Sequence, residues 1–251
     1  MEQTERRTRL IEYLLEERKE TISIPSDEGS QKRLLRALLN VRPPMPVSAE
    51  FLSLQDEYLT ERKNERGIIN VNDFVYTSDV SLFKGDITTL NADAIVNAAN
   101  SAMLGCFHPL HNCIDNAIHT FAGVQVRLDC NDIMKGREAE NGEVVVTKAY
   151  NLPSKFIFHT VGPVVYGRVT EENKSDLAKC YLNCLAKADE MQLKSIAFCC
   201  ISTGIFGYPK EGAAQLAVKA VREYKAQTSS SLKIIFDVFT ENDYELYRRI
   251  L

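Results

Sequence analysis

Two cysteines and a histidine lie close together between residues 106 and 113. Cys106, His111 and Cys113 form a Cys-x4-His-x-Cys pattern, and three of the four histidines of the chain fall within residues 108–119. Two thiolates and an imidazole suit zinc, and three protein ligands leave the fourth tetrahedral position open, as in catalytic zinc sites. On these residues alone, a zinc site and a chance cluster of buried side chains are equally well supported.

Two loops of small and polar residues each follow a run that is typical of a buried strand. One loop covers residues 98–106, and the other reads Ser-Thr-Gly-Ile-Phe-Gly-Tyr-Pro over residues 202–209. Small residues before a helix let backbone N–H groups close around a phosphate. Because ligands bind beyond the carboxyl ends of strands in open α/β sheets, these loops are where chemistry is expected. A simple turn is the alternative for the second loop.

Short β-rich runs alternate with helical patterns from about residue 70 onward. The strand-like runs are Asp73–Tyr76, Val80–Lys84, Asp93–Ala98, Glu143–Thr147, Phe156–Thr160, Ser195–Ile201 and Lys233–Phe239. The helical patterns are Ile114–Leu128, Ser175–Met191, Glu211–Tyr224 and Asp243–Leu251. This alternation predicts an α/β fold with a mixed central sheet.

The first 66 residues contain almost no strand signal. Apolar stripes with helical spacing begin at Leu10, Leu34 and Phe51, and the Pro-rich segment 42–46 separates the last two. We therefore predict a helical N-terminal extension over residues 1–66, packed on a main domain of residues 67–251.

Composition and charge narrow the class of protein. The net charge is −4 and no dense Lys/Arg cluster is present, so nucleic acid is not expected as a partner. No apolar run approaches the ~20 residues that a membrane span needs, and the charged start of the chain does not resemble a secretory signal. We expect no membrane association and a cytoplasmic location.

Five segments, taken together in this order, resemble the macrodomain family. They are Gly85-Asp86-Ile87-Thr88, residues 93–100 (Asp-Ala-Ile-Val-Asn-Ala-Ala-Asn), Ile118-His119 with Ala122-Gly123, residues 159–163 (His-Thr-Val-Gly-Pro) and residues 202–209. The Cys-x4-His-x-Cys segment and the helical N-terminus are similar to the zinc-containing microbial subgroup. The resemblance implies a three-layer α/β/α macrodomain fold and an ADP-ribose cleft at the carboxyl edge of the sheet.

The resemblance also implies roles for individual residues. Asp86, with the Ile87 backbone beside it, would accept a hydrogen bond from the adenine amino group. Asn100 would bind the distal ribose and take part in catalysis. The residues expected to wrap the diphosphate are Ser202, Thr203, Gly204, Ile205 and Phe206, and those expected to contact ADP-ribose near the distal ribose are Cys106, Asp115 and Asn116. Surface turns, helix capping and ordinary packing are the alternatives, and for Asn97 we prefer backbone hydrogen bonding in the loop.

The location of the Cys/His cluster inside the expected ribose loop favours zinc, so we predict one Zn2+ per chain held by Cys106, His111 and Cys113. His108 is a rival ligand, but Pro109 restricts its backbone. His119 is expected to be a hydrogen-bonded packing residue. Asp115, kept ionised by the helix start, would orient water or stabilise positive charge at the anomeric carbon.

The function implied by the resemblance is zinc-dependent hydrolysis of mono-ADP-ribose from modified protein side chains. The alternatives are a non-catalytic ADP-ribose reader with structural zinc and a deacetylase of O-acetyl-ADP-ribose. The expected partners are ADP-ribose and mono-ADP-ribosylated protein. Because the subgroup is linked to lipoate-dependent modification systems, a lipoyl-carrier-like protein is a further candidate partner.

Overall fold

The computed structural model describes all 251 residues, which form eight α-helices and six β-strands. The helices are α1 (Gln3–Arg18), α2 (Glu28–Val41), α3 (Ala49–Arg66), α4 (Ile114–Ala122), α5 (Val124–Met134), α6 (Glu171–Glu190), α7 (Lys210–Thr228) and α8 (Glu241–Ile250). The strands are β1 (Val80–Lys84), β2 (Ala94–Ala99), β3 (Val144–Lys148), β4 (Phe156–Val161), β5 (Ser195–Phe198) and β6 (Lys233–Val238).

The six strands form one mixed sheet in the order β1-β6-β5-β2-β4-β3. Every neighbouring pair is parallel except β3 and β4. The inner strands are buried on both faces, as expected for a parallel sheet covered by helices; in β2, for example, Ala94, Ile95 and Val96 are fully buried.

Helices cover both faces of the sheet. The α4–α5 pair packs on β2 and β3 in one layer. In the other layer α6 packs on β3, β4 and β5, α8 packs on β1, and α7 lies between α6 and α8. The fold is therefore the three-layer α/β/α architecture with a mixed sheet that the sequence predicts.

The predicted N-terminal helices are present as α1, α2 and α3. They enclose a small core of their own, in which Leu10, Leu14 and Phe51 are almost completely buried, and Val124 of α5 joins this core. The extension contacts the main domain mainly through α4, which packs against α2 and α3. No helix in the protein is both long enough and apolar enough to cross a membrane.

Two predicted elements differ from the structure. The predicted strand Asp73–Tyr76 is wrong, because Val71–Asp73 form a 3₁₀ turn and the residues after it are irregular. The single helix predicted over Ile114–Leu128 is wrong as well, because Gly123 divides it into α4 and α5.

The break at Gly123 has a local cause. Gly123 adopts φ 102° and ψ 172°, a conformation that is essentially restricted to glycine. A Cβ atom at this position would lie 2.6 Å from Oε1 of Gln125 and 2.7 Å from Nε2 of Gln55. The backbone passes this closely because Gln55 of the extension accepts a hydrogen bond from the Val124 N–H at 2.9 Å.

We expect Gly123→Ala to lower the free energy of unfolding more than Gly136→Ala does. Gly136 also has a positive φ of 78°, but no atom lies within 4 Å of a Cβ placed there. The control should therefore lose only the conformational term, about 1–2 kcal/mol, whereas Gly123→Ala also displaces the Gln55 and Gln125 side chains. Urea titrations of both variants would measure the difference, and equal losses would contradict this account of the α4–α5 break.

Candidate active site

The carboxyl ends of the parallel strands bring three loops to one edge of the sheet. These loops are residues 85–89 after β1, residues 100–113 after β2 and residues 199–209 after β5. Since β2 and β5 are adjacent, the two loops that the sequence singles out lie side by side. The candidate site lies at this edge.

The loop after β5 presents a run of unpaired backbone donors. The N–H groups of residues 202–206 donate to no acceptor in the protein, while Tyr208 N–H donates to the Ser202 carbonyl at 3.0 Å and Gly207 N–H to that of Gly204 at 3.0 Å. Ser202 has the unusual φ of 63°. Consecutive free N–H groups in such a turn form a concave anion-binding site. The arrangement suits a phosphate or diphosphate.

Packing from both sides holds this loop in place. The Phe206 carbonyl accepts from Val165 N–H at 2.8 Å, and the Phe206 side chain packs on a cluster that includes Met103 and Val161. A Cβ at Gly162 would lie 2.1 Å from the Ser202 Oγ, so only glycine at the end of β4 permits this position of Ser202. Ile205, by contrast, is 77% exposed at the rim.

Asn100 lies where β2 ends, with one half of its amide free. Its Nδ2 donates to the Gly105 carbonyl at 3.1 Å, but its Oδ1 is buried without a partner, as is the Ser202 Oγ. A buried polar atom without a partner is destabilising. These two atoms, from neighbouring strand ends, are therefore suited to binding a polar ligand.

The three predicted metal ligands lie together. The ligand atoms of Cys106, His111 and Cys113 are all within 4.8 Å of one another, and the Cys106 Sγ lies 3.4 Å from the His111 Nδ1. Zinc bonds of about 2.3 Å to sulfur and about 2.0 Å to nitrogen require ligand atoms roughly 3–4 Å apart. The donor set therefore fits a zinc ion. His108 is exposed and is not part of this cluster.

The surroundings of Cys113 favour the neutral form of its thiol. Burial, with the nearby Cys106 and Asp115, raises the pKa of the Cys113 thiol. The Cys113 Sγ accepts a hydrogen bond from the Asn116 N–H at 3.4 Å as the N-cap of α4. A thiol in this position ionises at neutral pH only when a positive charge compensates it, which a bound metal ion would supply.

Asp115 is a buried carboxylate next to the predicted metal ligands. Its Oδ1 accepts from the Asn97 Nδ2 at 2.7 Å, and its side chain is only 7% exposed. Burial raises the pKa of Asp115 to about 6, against the lowering effects of the Asn97 hydrogen bond and the Arg127 charge. The helix start is expected to keep Asp115 ionised; the carboxylate is mainly ionised at pH 7, but burial brings its titration close to neutrality.

Asn97 belongs to a buried chain of polar side chains, and not to the loop. It lies in β2, is fully buried, and its Nδ2 also lies 3.1 Å from the His159 Nδ1. The other ring nitrogen of His159 lies 2.9 Å from the Thr147 Oγ1. The preferred interpretation of Asn97 as a stabiliser of the loop backbone is thus wrong, because its amide orients Asp115.

The two histidines near Asp115 are neutral. Burial lowers the pKa of His159 to about 3, and burial, with His159 and Arg127, lowers that of His119 well below its usual range. His119 is buried as predicted, but neither of its ring nitrogens has a hydrogen-bond partner; its Nε2 lies 3.5 Å from the Asp115 Oδ1. Arg127 is therefore the positive charge that balances Asp115.

The loop after β1 contains a second carboxylate. The Asp86 Oδ1 accepts from the Thr88 N–H at 3.0 Å, and its Oδ2 accepts from Arg66 at 2.6 Å. The Arg66 guanidinium also lies 3.6 Å from the centre of the Phe121 ring. The N–H of Ile87 donates to no protein acceptor, so a donor and a carboxylate acceptor lie side by side here.

Two further residues lie at this end of the site and are not predicted from the sequence. Asp237, near the end of β6, is 6% exposed, and its Oδ1 has no partner. Burial, and then the charge of Asp86, raise the pKa of Asp237 well above its usual range, which favours the neutral form of this carboxyl group. Phe239 follows β6 and is 81% exposed, next to the turn where Gly85 N–H bonds the Val238 carbonyl. The available signals were an acid within an apolar strand and an aromatic residue at its end.

Asn116, predicted to contact ADP-ribose, is fully buried. Its Oδ1 accepts from Arg36 at 2.7 Å, and its Nδ2 donates to the His108 carbonyl at 3.0 Å. These contacts brace the loop after β2. A direct contact of Asn116 or Cys106 with ADP-ribose stays a prediction.

The chain belongs to the macrodomain family. The sequence profile described as Macro domain matches residues 96–217. The chain is 50% identical over its full length to a full-length protein of Treponema medium named protein-ADP-ribose hydrolase. It is 46% identical to a protein of the same name from Staphylococcus aureus (strain MRSA252), over 95% of this chain and 93% of that one. A structure of a Trypanosoma brucei macrodomain in complex with ADP-ribose is similar with a TM-score of 0.66 and 27% identity, covering 85% of this chain and 94% of that one.

The buried neutral His159 gives stability a defined pH dependence. Its pKa is about 3 in the folded chain and ~6.5 when unfolded, so between these values only the unfolded chain binds the proton. Stability from this group is complete above pH 6.5 and is lost as the pH falls. We expect about 1.4 kcal/mol of loss between pH 7.5 and pH 5.5. In denaturant titrations His159→Gln should remove this part of the slope, and His108→Gln, at an exposed position, should not. A slope that is the same in parent and His159→Gln would contradict this assignment.

Proposed function

We propose that the protein is a zinc-dependent hydrolase that removes mono-ADP-ribose from modified protein side chains. The observation that carries the proposal is the run of five unpaired N–H groups at residues 202–206, between a carboxylate at Asp86 and a buried carboxylate at Asp115. This order of groups matches ADP-ribose. The base would lie at Asp86, the diphosphate at residues 202–206 and the reacting ribose at Asp115. The names of the Treponema and Staphylococcus relatives support the same activity.

The base would bind at the end of β1 and β6. A carboxylate accepts but does not donate, so Asp86 selects a base that presents an amino group. Arg66 and Thr88 engage both oxygens of Asp86, but a carboxylate offers about four acceptor positions and can take a further donor. The free N–H of Ile87 would donate to a ring nitrogen, and the exposed ring of Phe239 would cover one face of the base.

The phosphates and the distal ribose would bind toward β5 and β2. The N–H groups of residues 202–206 would donate to the diphosphate oxygens. The free Oδ1 of Asn100 would accept from a ribose hydroxyl, since its Nδ2 already holds the Gly105 carbonyl. This places the anomeric carbon toward Asp115 and the Cys/His cluster.

Asp115 is the group that distinguishes a hydrolase from a reader. As the bond between the anomeric carbon and the acceptor oxygen breaks, positive charge develops on the ribose. A carboxylate that is already desolvated stabilises this charge more strongly than one in water. With a pKa of about 6, Asp115 can also accept a proton from the attacking water near neutral pH. A zinc ion held by Cys106, His111 and Cys113 would act as a Lewis acid or orienting ion beside the distal ribose.

Three further assignments complete the proposal. Residues 1–66 form a helical extension and residues 67–251 the ADP-ribose-binding domain, which the separate core of α1–α3 supports. The modified partner is a mono-ADP-ribosylated protein; that it is lipoyl-carrier-like stays a prediction, tested by comparing turnover on modified carrier and non-carrier proteins. A cytoplasmic location also stays a prediction.

We expect the purified protein to contain about one zinc ion per chain. Cys106→Ala, His111→Ala and Cys113→Ala should each lower the zinc content, because each removes one of three ligands. His108→Ala is the matched control and should keep full occupancy, since His108 is exposed and is not part of the cluster. Elemental analysis would measure this. Absence of metal in the parent, or loss of metal in His108→Ala, would show the ligand set to be wrong.

Asp115→Asn and Asp86→Ala should affect different steps. The amide introduced by Asp115→Asn can keep its oxygen toward the Asn97 Nδ2, so ADP-ribose affinity should stay within a few-fold. Loss of the charge should lower the demodification rate by about 10²-fold or more.

Asp86→Ala should instead weaken ADP-ribose binding by about 1.5–3 kcal/mol.

Calorimetry with ADP-ribose and a mass-spectrometric turnover assay on a panel of linkages would separate these effects. If Asp115→Asn removes ADP-ribose as fast as the parent, Asp115 is only an acid at the helix start. If the parent shows no turnover on any linkage, the protein is a reader. Faster turnover of O-acetyl-ADP-ribose than of modified protein would favour the deacetylase alternative.

A further inference from the structure

The loop that contains the three predicted zinc ligands is held from outside the macrodomain, by α2 of the N-terminal extension. Arg36 of α2 donates from Nη2 to the His111 carbonyl at 3.1 Å and to the Asn116 Oδ1 at 2.7 Å. Its Nε donates to the same Asn116 oxygen at 3.2 Å. One guanidinium therefore contacts the backbone of a metal ligand and the side chain of a residue three positions after another ligand, Cys113.

The contact with Asn116 links Arg36 to the second predicted ligand, Cys113, through the Asn116 backbone. The backbone N–H of Asn116 is the group that donates to the Cys113 Sγ, and the Nδ2 of Asn116 holds the His108 carbonyl in the same loop. Arg36 thus fixes the position of His111 through its carbonyl and that of Cys113 through Asn116. Cys106 lies 3.4 Å from the His111 ring and completes the cluster.

A second residue of α2 fixes the strained part of the loop. Leu110, immediately before His111, has a φ of 57°, which is unfavourable for leucine. The Asn40 Oδ1 accepts from the Leu110 N–H at 3.0 Å, and its Nδ2 donates to the Thr120 Oγ1 at 2.9 Å on α4. Asn40 is 1% exposed, so these hydrogen bonds are shielded from water. Two adjacent turns of α2 therefore clamp both sides of His111.

We propose that Arg36 is a positioning residue for the metal, and that docking of the N-terminal extension sets the zinc affinity of the macrodomain. The inference rests on the zinc site of the proposed function. It adds to that site the helix α2, which supplies none of the three predicted zinc ligands. Partners that orient metal ligands typically change metal affinity about 10- to 100-fold when they are removed. Since coupling between two equilibria is reciprocal, zinc should stabilise the docked extension by the same factor.

Arg36→Met tests this inference, with Arg33→Met as the matched control. Arg33 is one turn earlier on α2 and exposed, so its replacement changes the same residue type in the same helix without touching the loop. Competition for Zn2+ between the full-length protein and a chromophoric zinc chelator would measure affinity. We expect Arg36→Met to bind zinc at least 10-fold more weakly than the parent and Arg33→Met to match the parent.

Arg36→Lys and a melting measurement separate positioning from general stability. Lysine keeps the charge but not the planar fork that engages two acceptors, so its zinc affinity should lie between those of the parent and Arg36→Met. If Arg36→Met does not fold, the zinc affinity of Arg36→Lys tests the inference in its place. The increase in melting temperature caused by saturating Zn2+ should be smaller in both Arg36 variants than in Arg33→Met.

Equal zinc affinities in the parent and the Arg36 variants would overturn the inference. So would a loss of melting temperature that is the same with and without zinc, because Arg36 would then only dock the helix. These results differ from failure of the proposed metal site, which would appear as a parent that binds no zinc.

Discussion

The site depends on a fourteen-residue connection, residues 100–113, that has almost no hydrogen bonding of its own. Between β2 and α4 the backbone of this loop forms only isolated turn bonds, such as Met103 N–H to the Asn100 carbonyl at 3.0 Å. An irregular segment keeps one conformation only if surrounding groups fix it. Here the fixing groups are the buried Met103 side chain, the Leu104 carbonyl bound by Arg127 at 2.7 Å and the clamp from α2. The positions of the side chains on such a loop are therefore determined by the elements that pack against it.

Arg127 connects this bracing to the electrostatics of the site. Its guanidinium donates to the carbonyls of Leu104, Leu39 and Arg42, so it joins the loop, the end of α2 and α5. It also stabilises the ionised form of Asp115, whose pKa burial would otherwise raise further. One buried cation therefore holds the loop in shape and keeps the nearby carboxylate charged. Strongly perturbed acids in a cleft are typical of functional sites.

The histidines complete this arrangement without adding charge. Since burial keeps His159 neutral, it serves Asn97 as a hydrogen-bond partner, and Asn97 in turn fixes one oxygen of Asp115. A protonated histidine there would compete with Arg127 for the charge of Asp115. The buried side chains of Asn97 and His159 thus orient the Asp115 carboxylate, while Arg127 alone balances its charge.

The sequence predicts the parts of the fold and site that depend on neighbouring residues. Helical stripes at Leu10, Leu34 and Phe51 predict α1, α2 and α3, and the Cys/His spacing predicts a cluster that the structure brings together. The spacing works because its three residues lie within eight positions of one another, so little else in the fold decides whether they meet.

Features that depend on distant contacts could not be predicted in this way. The pairing of Asp86 with Arg66, and of Asn97 with Asp115, joins elements whose relative position only the complete fold determines. The break at Gly123 is similar, because the apolar pattern continues through it, and what stops the helix is Gln55 of the extension. A strand was predicted at Asp73–Tyr76 from local residue types, but the adjacent edge of β1 has no partner strand on that side.

The extension contacts the cleft at both ends, which gives it a role beyond covering apolar surface. At one end Arg36 and Asn40 hold the Cys/His loop, and at the other Arg66, the last residue of α3, binds Asp86. Because α1, α2 and α3 share one core, a displacement of the extension as one body would alter both ends together. The distance between Asp86 and the Cys/His loop is therefore set partly by the extension, which braces the candidate site at both ends.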